Sequence, residues 1–228
     1  MNKPQIPNVL AARYAATDLV ALWSPEEKVR AERRLWLAVL RAQRDLGVPV
    51  ADGAIEAYQA VLDQVDLDSI AARERVTRHD VKARIDEFCA LAGHEEIHKG
   101  MTSRDLTENV EQLQIRASLL LIRDRVVTAL ARLAERAVEF DGLVMVGRSH
   151  NVPAQATTLG KRLASATQEL LLGYERLDDL INRYPLRGIK GPVGTGADQL
   201  SLLRGDQDAV RGLEQRVAEH LGFAKVLT

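Results

Sequence analysis

Apolar residues recur at intervals of three and four along most of this chain, and that spacing predicts helices. Val29, Trp36, Val39, Leu40 and Leu46 mark the first, which opens at Ser24-Pro25-Glu26-Glu27. Serine there is a capping residue, proline suits the first helical position, and the two acids face the positive end of the helix dipole. Gly47 and Pro49 stop it. A second helix is predicted over Asp52 to Gln64 and a third from about Asp80 to Ala92, ending at Gly93. Nothing in this stretch alternates with period two long enough to make a strand.

Beyond Gly100 the pattern lengthens. From Met101 to Asp141 there is neither glycine nor proline, and Leu106, Val110, Leu113, Ala117, Leu120, Val127, Leu130, Ala134 and Ala137 give a nearly continuous apolar face. One helix over about 103–140 is predicted, roughly 55–60 Å long at the usual rise per residue. A second long pattern runs from Ala154 to Tyr184, interrupted only by Gly160 and Gly173, and a third from about Gln199 to Leu221. Helices of this length need long partners to cover them. The expected fold is all-α. A small helical N-terminal domain would occupy 1–101, and 102–228 would be the first part of an extended bundle of very long helices.

Composition narrows the setting. Charged residues make up 28% and the formal net charge is −1, so no basic field exists to draw in nucleic acid or an acidic membrane surface. Cys89 is the single cysteine, which leaves no intrachain disulfide and suits a reducing compartment. Met1 to Leu10 lacks the apolar run of a secretory signal, and no apolar run approaches the roughly 20 residues of a membrane span. A cytoplasmic protein without membrane or nucleic-acid partners is expected.

Two predicted loops and two helix starts carry the chemistry. Gly147 to Pro153 holds Ser149 and His150, and a loop histidine beside a hydroxyl suits a general acid. Arg187 to Gly196 has four glycines, which reads either as a connector or as backbone in close approach to something; it lacks the ending of a Walker A loop and follows no strand. Thr77-Arg78-His79-Asp80 opens one predicted helix and Thr102-Ser103 the longest one. Helix-start N–H groups beside an arginine, an imidazole or hydroxyls suit an anion, while for either run taken alone plain capping is the better account. His94-Glu95-Glu96-Ile97-His98 matches a zinc-hydrolase pattern in letters, but Gly93 and Gly100 bracket a segment too short for the helix that pattern needs. His220 reads as a surface or C-terminal cap residue.

Taken in order, these segments resemble the adenylosuccinate lyases, within the fumarase/aspartase superfamily. The resemblance rests on Arg13-Tyr14, Thr77 to Val81, Ile97 to Ser103, Ser149 to Arg162 and Arg187 to Thr195, and it covers essentially the whole chain. Thr77 to Val81 separates this family from a sibling such as argininosuccinate lyase. A non-catalytic helical scaffold would account for the long helices but not for the histidines and glycines between them.

The resemblance implies elimination of fumarate from adenylosuccinate and from the succinylated aminoimidazole carboxamide ribonucleotide, with no metal and no cofactor. It implies that Arg13 and Tyr14 contact the phosphate end of the nucleotide. Arg78, His79 and Asp80 would bind substrate, His79 also assisting catalysis. His98 would lie near the phosphate, and Thr102 and Ser103 would hold the succinyl portion. His150 would protonate the departing nitrogen, with Ser149 standing where the family has threonine. It further implies a homotetramer whose active sites draw on several subunits. The family's Ser-Ser-x-Met-Pro-x-Lys loop, with its general-base serine, has no counterpart here. The chain therefore reads as an N-terminal half that would be inactive alone.

Overall fold

The computed structural model describes residues 8–227. Ten helices and one β-hairpin appear among them: α1 Val9–Tyr14, α2 Thr17–Leu22, α3 Pro25–Asp45, α4 Ala54–Ala60, α5 Leu67–Thr77, α6 Asp80–Ala92, α7 Ser103–Glu139, β1 Val144–Ser149, β2 Val152–Thr158, α8 Leu159–Arg183, α9 Ala197–Leu202 and α10 Gln207–His220. The mainly helical class agrees with the sequence pattern. The chain forms two compact units, 1–116 with 184–228, and 117–183. This division by contact differs in kind from the expected division into 1–101 and 102–228, which rests on the lengthening of the helix pattern beyond Gly100.

The first unit is built around α3. Ser24 Oγ accepts from Glu27 N at 3.2 Å and Pro25 occupies the first turn, as the sequence predicts. The helix carries apolar side chains on most of its circumference, and Leu35, Trp36, Leu37, Val39 and Leu40 are all buried. A helix apolar nearly all round must be enclosed by others. Its core is shared with Tyr58 of α4, Phe88 of α6, Leu106 and Val110 of α7, Leu213 and Val217 of α10, and Leu186, Ile189 and Phe223 from the connecting segments. Arg33, fully buried on α3, donates to the carbonyls of Val61 and Leu62 at 2.9 and 2.8 Å and pairs with Glu87 at 2.5 Å. It thereby satisfies carbonyls that the end of α4 leaves open.

The structure corrects four expectations here. The helix predicted over Asp52 to Gln64 is shorter, because Gly53 takes a left-handed φ of 75° and Arg33 captures its last carbonyls. Helices α1 and α2 were not anticipated, nor was α5. Of α5 only Ile70 is buried, so its sequence shows little apolar periodicity; the Asp66 cap, accepting from Ser69 N at 2.9 Å, starts it. The pattern from Gln199 to Leu221 is two helices rather than one. Arg204 and Gly205 both have positive φ, and Asp206 caps a fresh start by accepting from Ala209 N at 2.9 Å.

In the second unit, α7 continues as predicted for a total of 37 residues. The expected loop around His150 is instead the turn of an antiparallel hairpin pairing Val144 with Thr158 through Ser149 with Val152, with an irregularity at Gly147/Arg148. His150 and Asn151 form the two-residue turn with φ of 49° and 64°. Both positive values fit a primed turn, whose twist matches that of the strands. The residues from Ala154 to Thr158 are therefore strand, and helix begins only at Leu159, with Thr158 Oγ1 accepting from Lys161 N at 3.0 Å.

Gly160 fixes that junction. Its N–H donates to Phe140 O at 2.8 Å, and an added Cβ would lie 2.3 Å from Ala137 O and 2.7 Å from the Asp141 backbone. Backbone atoms cannot swing aside as a side chain could. Gly160→Ala is expected to destabilise the chain by about 3 kcal/mol, the upper end of ordinary overpacking. A denaturant midpoint unchanged by the substitution would refute this packing.

Candidate active site

Helices α5 and α6 meet at Arg78, whose φ of 52° ends α5 in a left-handed residue. Thr77 Oγ1 closes the turn by accepting from His79 N at 3.3 Å and donating to His79 O at 3.1 Å. His79 itself, rather than Thr77 or Asp80, caps α6: its Nδ1 accepts from Lys82 N at 3.2 Å. In that arrangement the ring keeps its proton on Nε2, directed away from the helix. Asp80 Oδ1 lies 3.7 Å from His79 Nδ1, and Asp80 Oδ2 accepts from Arg84 at 2.7 Å. Burial is the largest single influence on the Asp80 carboxyl and raises it, but the Arg84 hydrogen bond, the Val81 N–H and the charges of Arg84 and His79 together hold it below its ordinary value. Arg78, His79 and Asp80 are all exposed, so the run presents a cation, an imidazole and a carboxylate to solvent.

The second cluster lies at the start of α7. The segment from His94 to Gly100 is turns and irregular backbone. The two imidazoles face different aromatic partners, His94 toward Tyr58 and His98 toward Trp36. The zinc-hydrolase pattern therefore lacks its helix, as Gly93 and Gly100 suggested. Thr102 precedes the first turn of α7, and its N–H donates to Asp105 Oδ2 at 2.9 Å. Thr102 and Ser103 are half-buried beside His98 in sequence, and His79 lies near enough for its charge to act on the His98 ring.

Asp105, which sequence reasoning passed over, organises this end of the unit. It is fully buried, and its carboxylate accepts from Lys190 N at 2.9 Å, Gly191 N at 3.0 Å, Thr102 N, and Arg187 Nη1 at 2.5 Å. Asn109 completes the clamp, donating to Gly188 O at 2.9 Å and accepting from Gly188 N at 3.0 Å. Glu214 accepts from Ile189 N and from Lys190 Nζ. Gln199 Nε2 donates to Gly100 O at 2.8 Å. The glycine loop is thus pinned against the Thr102–Ser103 helix start, with Gly188, Gly191, Gly194 and Gly196 all at positive φ. The visible signal was Asp105 itself, three residues after Thr102, in the spacing of a reciprocal cap.

Two desolvated titratable groups, half-buried His98 and buried Glu32, shift in opposite directions. Burial pushes His98 down to about 4; Asp105 acts upward and the charge of His79 downward. Burial pushes Glu32 up to about 7, against the attraction of Arg84, whose Nε lies 2.8 Å away but off the hydrogen-bonding direction. In the unfolded chain His98 takes up its proton near 6.5, while the folded chain refuses it until about 4. Its contribution to stability is complete above pH 6.5 and is lost as pH falls toward 4, by at most on the order of 3 kcal/mol. Glu32 runs the other way, its contribution present below pH 4.5 and lost as pH rises through 7. The expected result is a His98→Gln variant less sensitive to acid than the parent between pH 6.5 and 4, read as the difference in urea midpoints. Identical pH slopes would refute the buried neutral imidazole.

The remaining candidates lie on other elements. His150 is exposed at the hairpin turn of the 117–183 unit. Arg13 and Tyr14 lie on α1, which is exposed along its length, Tyr14 at 75%. Arg13, Tyr14, Arg78, His79, Asp80, His98, Thr102 and Ser103 thus all belong to one compact unit, and His150 to the other.

Comparison with known proteins places the chain in a family. A family model described as "Lyase" matches residues 19–226. Adenylosuccinate lyase of Saccharomyces cerevisiae is 40% identical over 225 residues, covering 95% of this chain and 46% of that protein. The enzymes of that name from Schistosoma mansoni and Methanocaldococcus jannaschii are 34% and 33% identical, over 96% and 94% of this chain and 46% of each relative. The chain thus spans about half the length of the curated relatives it matches. Among solved structures, a fumarate lyase from Mesorhizobium sp. BNC1 superposes with a TM-score of 0.79 at 22% identity, over 93% of this chain and 49% of that one. A 3-carboxy-cis,cis-muconate lactonizing enzyme from Pseudomonas putida gives the same score at 21% identity, over 96% and 50%. At those identities the superpositions speak for the fold. With the family match running across both compact units, the chain belongs to the lyase family.

Proposed function

We propose that this chain is the N-terminal half of an adenylosuccinate lyase, which eliminates fumarate from adenylosuccinate to leave AMP, and from the succinylated aminoimidazole carboxamide ribonucleotide. The observation that carries the reading is the capped Thr77–Val81 turn, which presents Arg78, His79 and Asp80 together in a chain 40% identical to the yeast enzyme. In the proposed mechanism Arg13, Tyr14, Arg78 and His98 bind the nucleotide, and Thr102 and Ser103 bind the succinyl group at the N-terminal end of α7. Loss of a proton from the carbon next to the C–N bond builds negative charge into the adjoining carboxylate. Hydroxyls and helix-start N–H groups stabilise such charge as it develops. His150 then protonates the departing nitrogen, and His79 supports the binding run. The group that removes the carbon-bound proton is supplied from outside these 228 residues.

Assembly as a cytoplasmic homotetramer follows from the same reading. Ile122, Val127 and Val138 of α7 and Leu171 and Leu172 of α8 are exposed, as are Val144, Val146 and Val152 of the hairpin. A two-stranded hairpin and two long helices with bare apolar faces need covering. No helix among the described residues is long and apolar enough to cross a membrane. The direct test is fumarate release by the full-length enzyme, offered adenylosuccinate and argininosuccinate separately. Turnover of argininosuccinate alone would overturn the proposal. A clean monomer by light scattering would overturn the tetramer.

A further inference from the structure

Trp36 sits at the centre of the core with no solvent exposure, yet it carries a polar atom that must be satisfied there. The indole N–H is a donor only. It donates to His98 Nδ1 at 3.0 Å, with the two rings edge to face at 80° and 6.0 Å between centroids. His98 reaches this position from a left-handed backbone, φ 68°, between the buried Ile97 and the turn at Gly100. Because Nδ1 accepts, a neutral ring must carry its hydrogen on Nε2. Protonating the ring would set N–H against N–H and leave the buried indole without an acceptor, which costs roughly 1–3 kcal/mol. The charged neighbours do not supply a way round this. Asp105 is already engaged by Thr102, Arg187, Lys190 and Gly191, and His79, when charged, repels a second cation. Burial pushing His98 down to about 4 agrees with the geometry. Among the described residues Nε2 has no hydrogen-bond partner, so its hydrogen is the one contact the ring can still offer.

We propose that Trp36 is a positioning residue: its indole N–H locks His98 as the neutral Nε2–H tautomer, so that His98 gives the substrate one uncharged hydrogen bond to an anionic oxygen rather than a positive charge or a proton. The inference rests on the reading of His98 as a substrate contact.

The test begins with the unaltered full-length enzyme labelled with nitrogen-15 in its histidines, the His98 signal identified by its loss in His98→Gln. The expected spectrum shows a proton on Nε2, a bare Nδ1, and no titration between pH 8 and 5.5. A proton on Nδ1, or a midpoint near the ordinary histidine value, would overturn the proposal without any variant having to fold. Trp36→Phe keeps an aromatic ring and removes the donor together with the second ring, so its urea midpoint is measured beside the spectrum. In it His98 is expected to populate both tautomers and to titrate closer to the ordinary range, with KM for adenylosuccinate raised about tenfold and kcat within about twofold. If the tautomer is as stated but His98→Gln leaves KM unchanged, the substrate-facing half of the proposal is overturned while the Trp36 lock stands. If KM rises in His98→Gln but the tautomer is wrong, the lock is overturned and the substrate contact stands.

Discussion

Asp105→Asn is expected to destabilise the chain by about 3–5 kcal/mol, the cost of breaking a buried charged pair from one side. The carboxylate is fully buried and takes hydrogen bonds from the N–H groups of Thr102, Lys190 and Gly191 and from Arg187. Asparagine has the same shape but turns one acceptor oxygen into a donor. At least one of those four donors would then face an N–H, and the Arg187 guanidinium would lose its buried counter-charge, keeping only Glu108 at its side. The glycine loop and the start of α7 should loosen together, because the same two oxygens bind both. Urea unfolding, with amide hydrogen exchange at Lys190 and Gly191, measures this. Stability within about 1 kcal/mol of the parent, with exchange at those two amides unchanged, would show that Asp105 does not hold the loop.

His150→Gln should do the reverse, leaving stability alone and removing activity. His150 is exposed at a two-residue turn and no hydrogen bond or ion pair of its side chain supports the hairpin among the described residues. Substitution should therefore shift the unfolding midpoint little. In the full-length enzyme, turnover of adenylosuccinate should fall by about 10²–10⁴-fold, the usual contribution of a positioned proton donor. Substrate affinity should persist, since the proposed phosphate contacts lie at Arg13 and Arg78. His150→Asn is the companion variant, because asparagine tolerates the left-handed backbone of this turn better than glutamine does. His220, exposed in the last turn of α10, serves as the control and should cost nothing in turnover. Near-normal turnover in both His150 variants would transfer the acid role to His79.

The sequence made some of this legible and hid the rest for identifiable reasons. Ser24-Pro25-Glu26-Glu27, Gly47, Gly93 and the unbroken run after Gly100 determined α3, α6 and α7 almost to the residue, because caps, breakers and periodicity are local interactions. The same local logic placed chemistry-bearing residues at two helix starts. It gave the wrong element at Ala154 to Thr158, which the long helical pattern up to Tyr184 took in. Pairing with Val144 to Ser149, together with the contact of Gly160 against Ala137, makes it a strand. It passed over α5, whose single buried residue leaves no periodic trace.

What only the tertiary structure decided is which side chains meet. Asp105 lies 82 to 86 residues from the loop groups it binds, and Trp36 lies 62 from His98. Contacts at such separations leave no spacing rule in the chain, because they are created when the core closes round α3. That closure made an unremarked aspartate the anchor of the glycine loop and gave His98 a fixed tautomer. The sequence by itself determined the helices and the residue types available for chemistry. The burial of α3 decided their partners and their protonation, since desolvation acts only once water has been excluded.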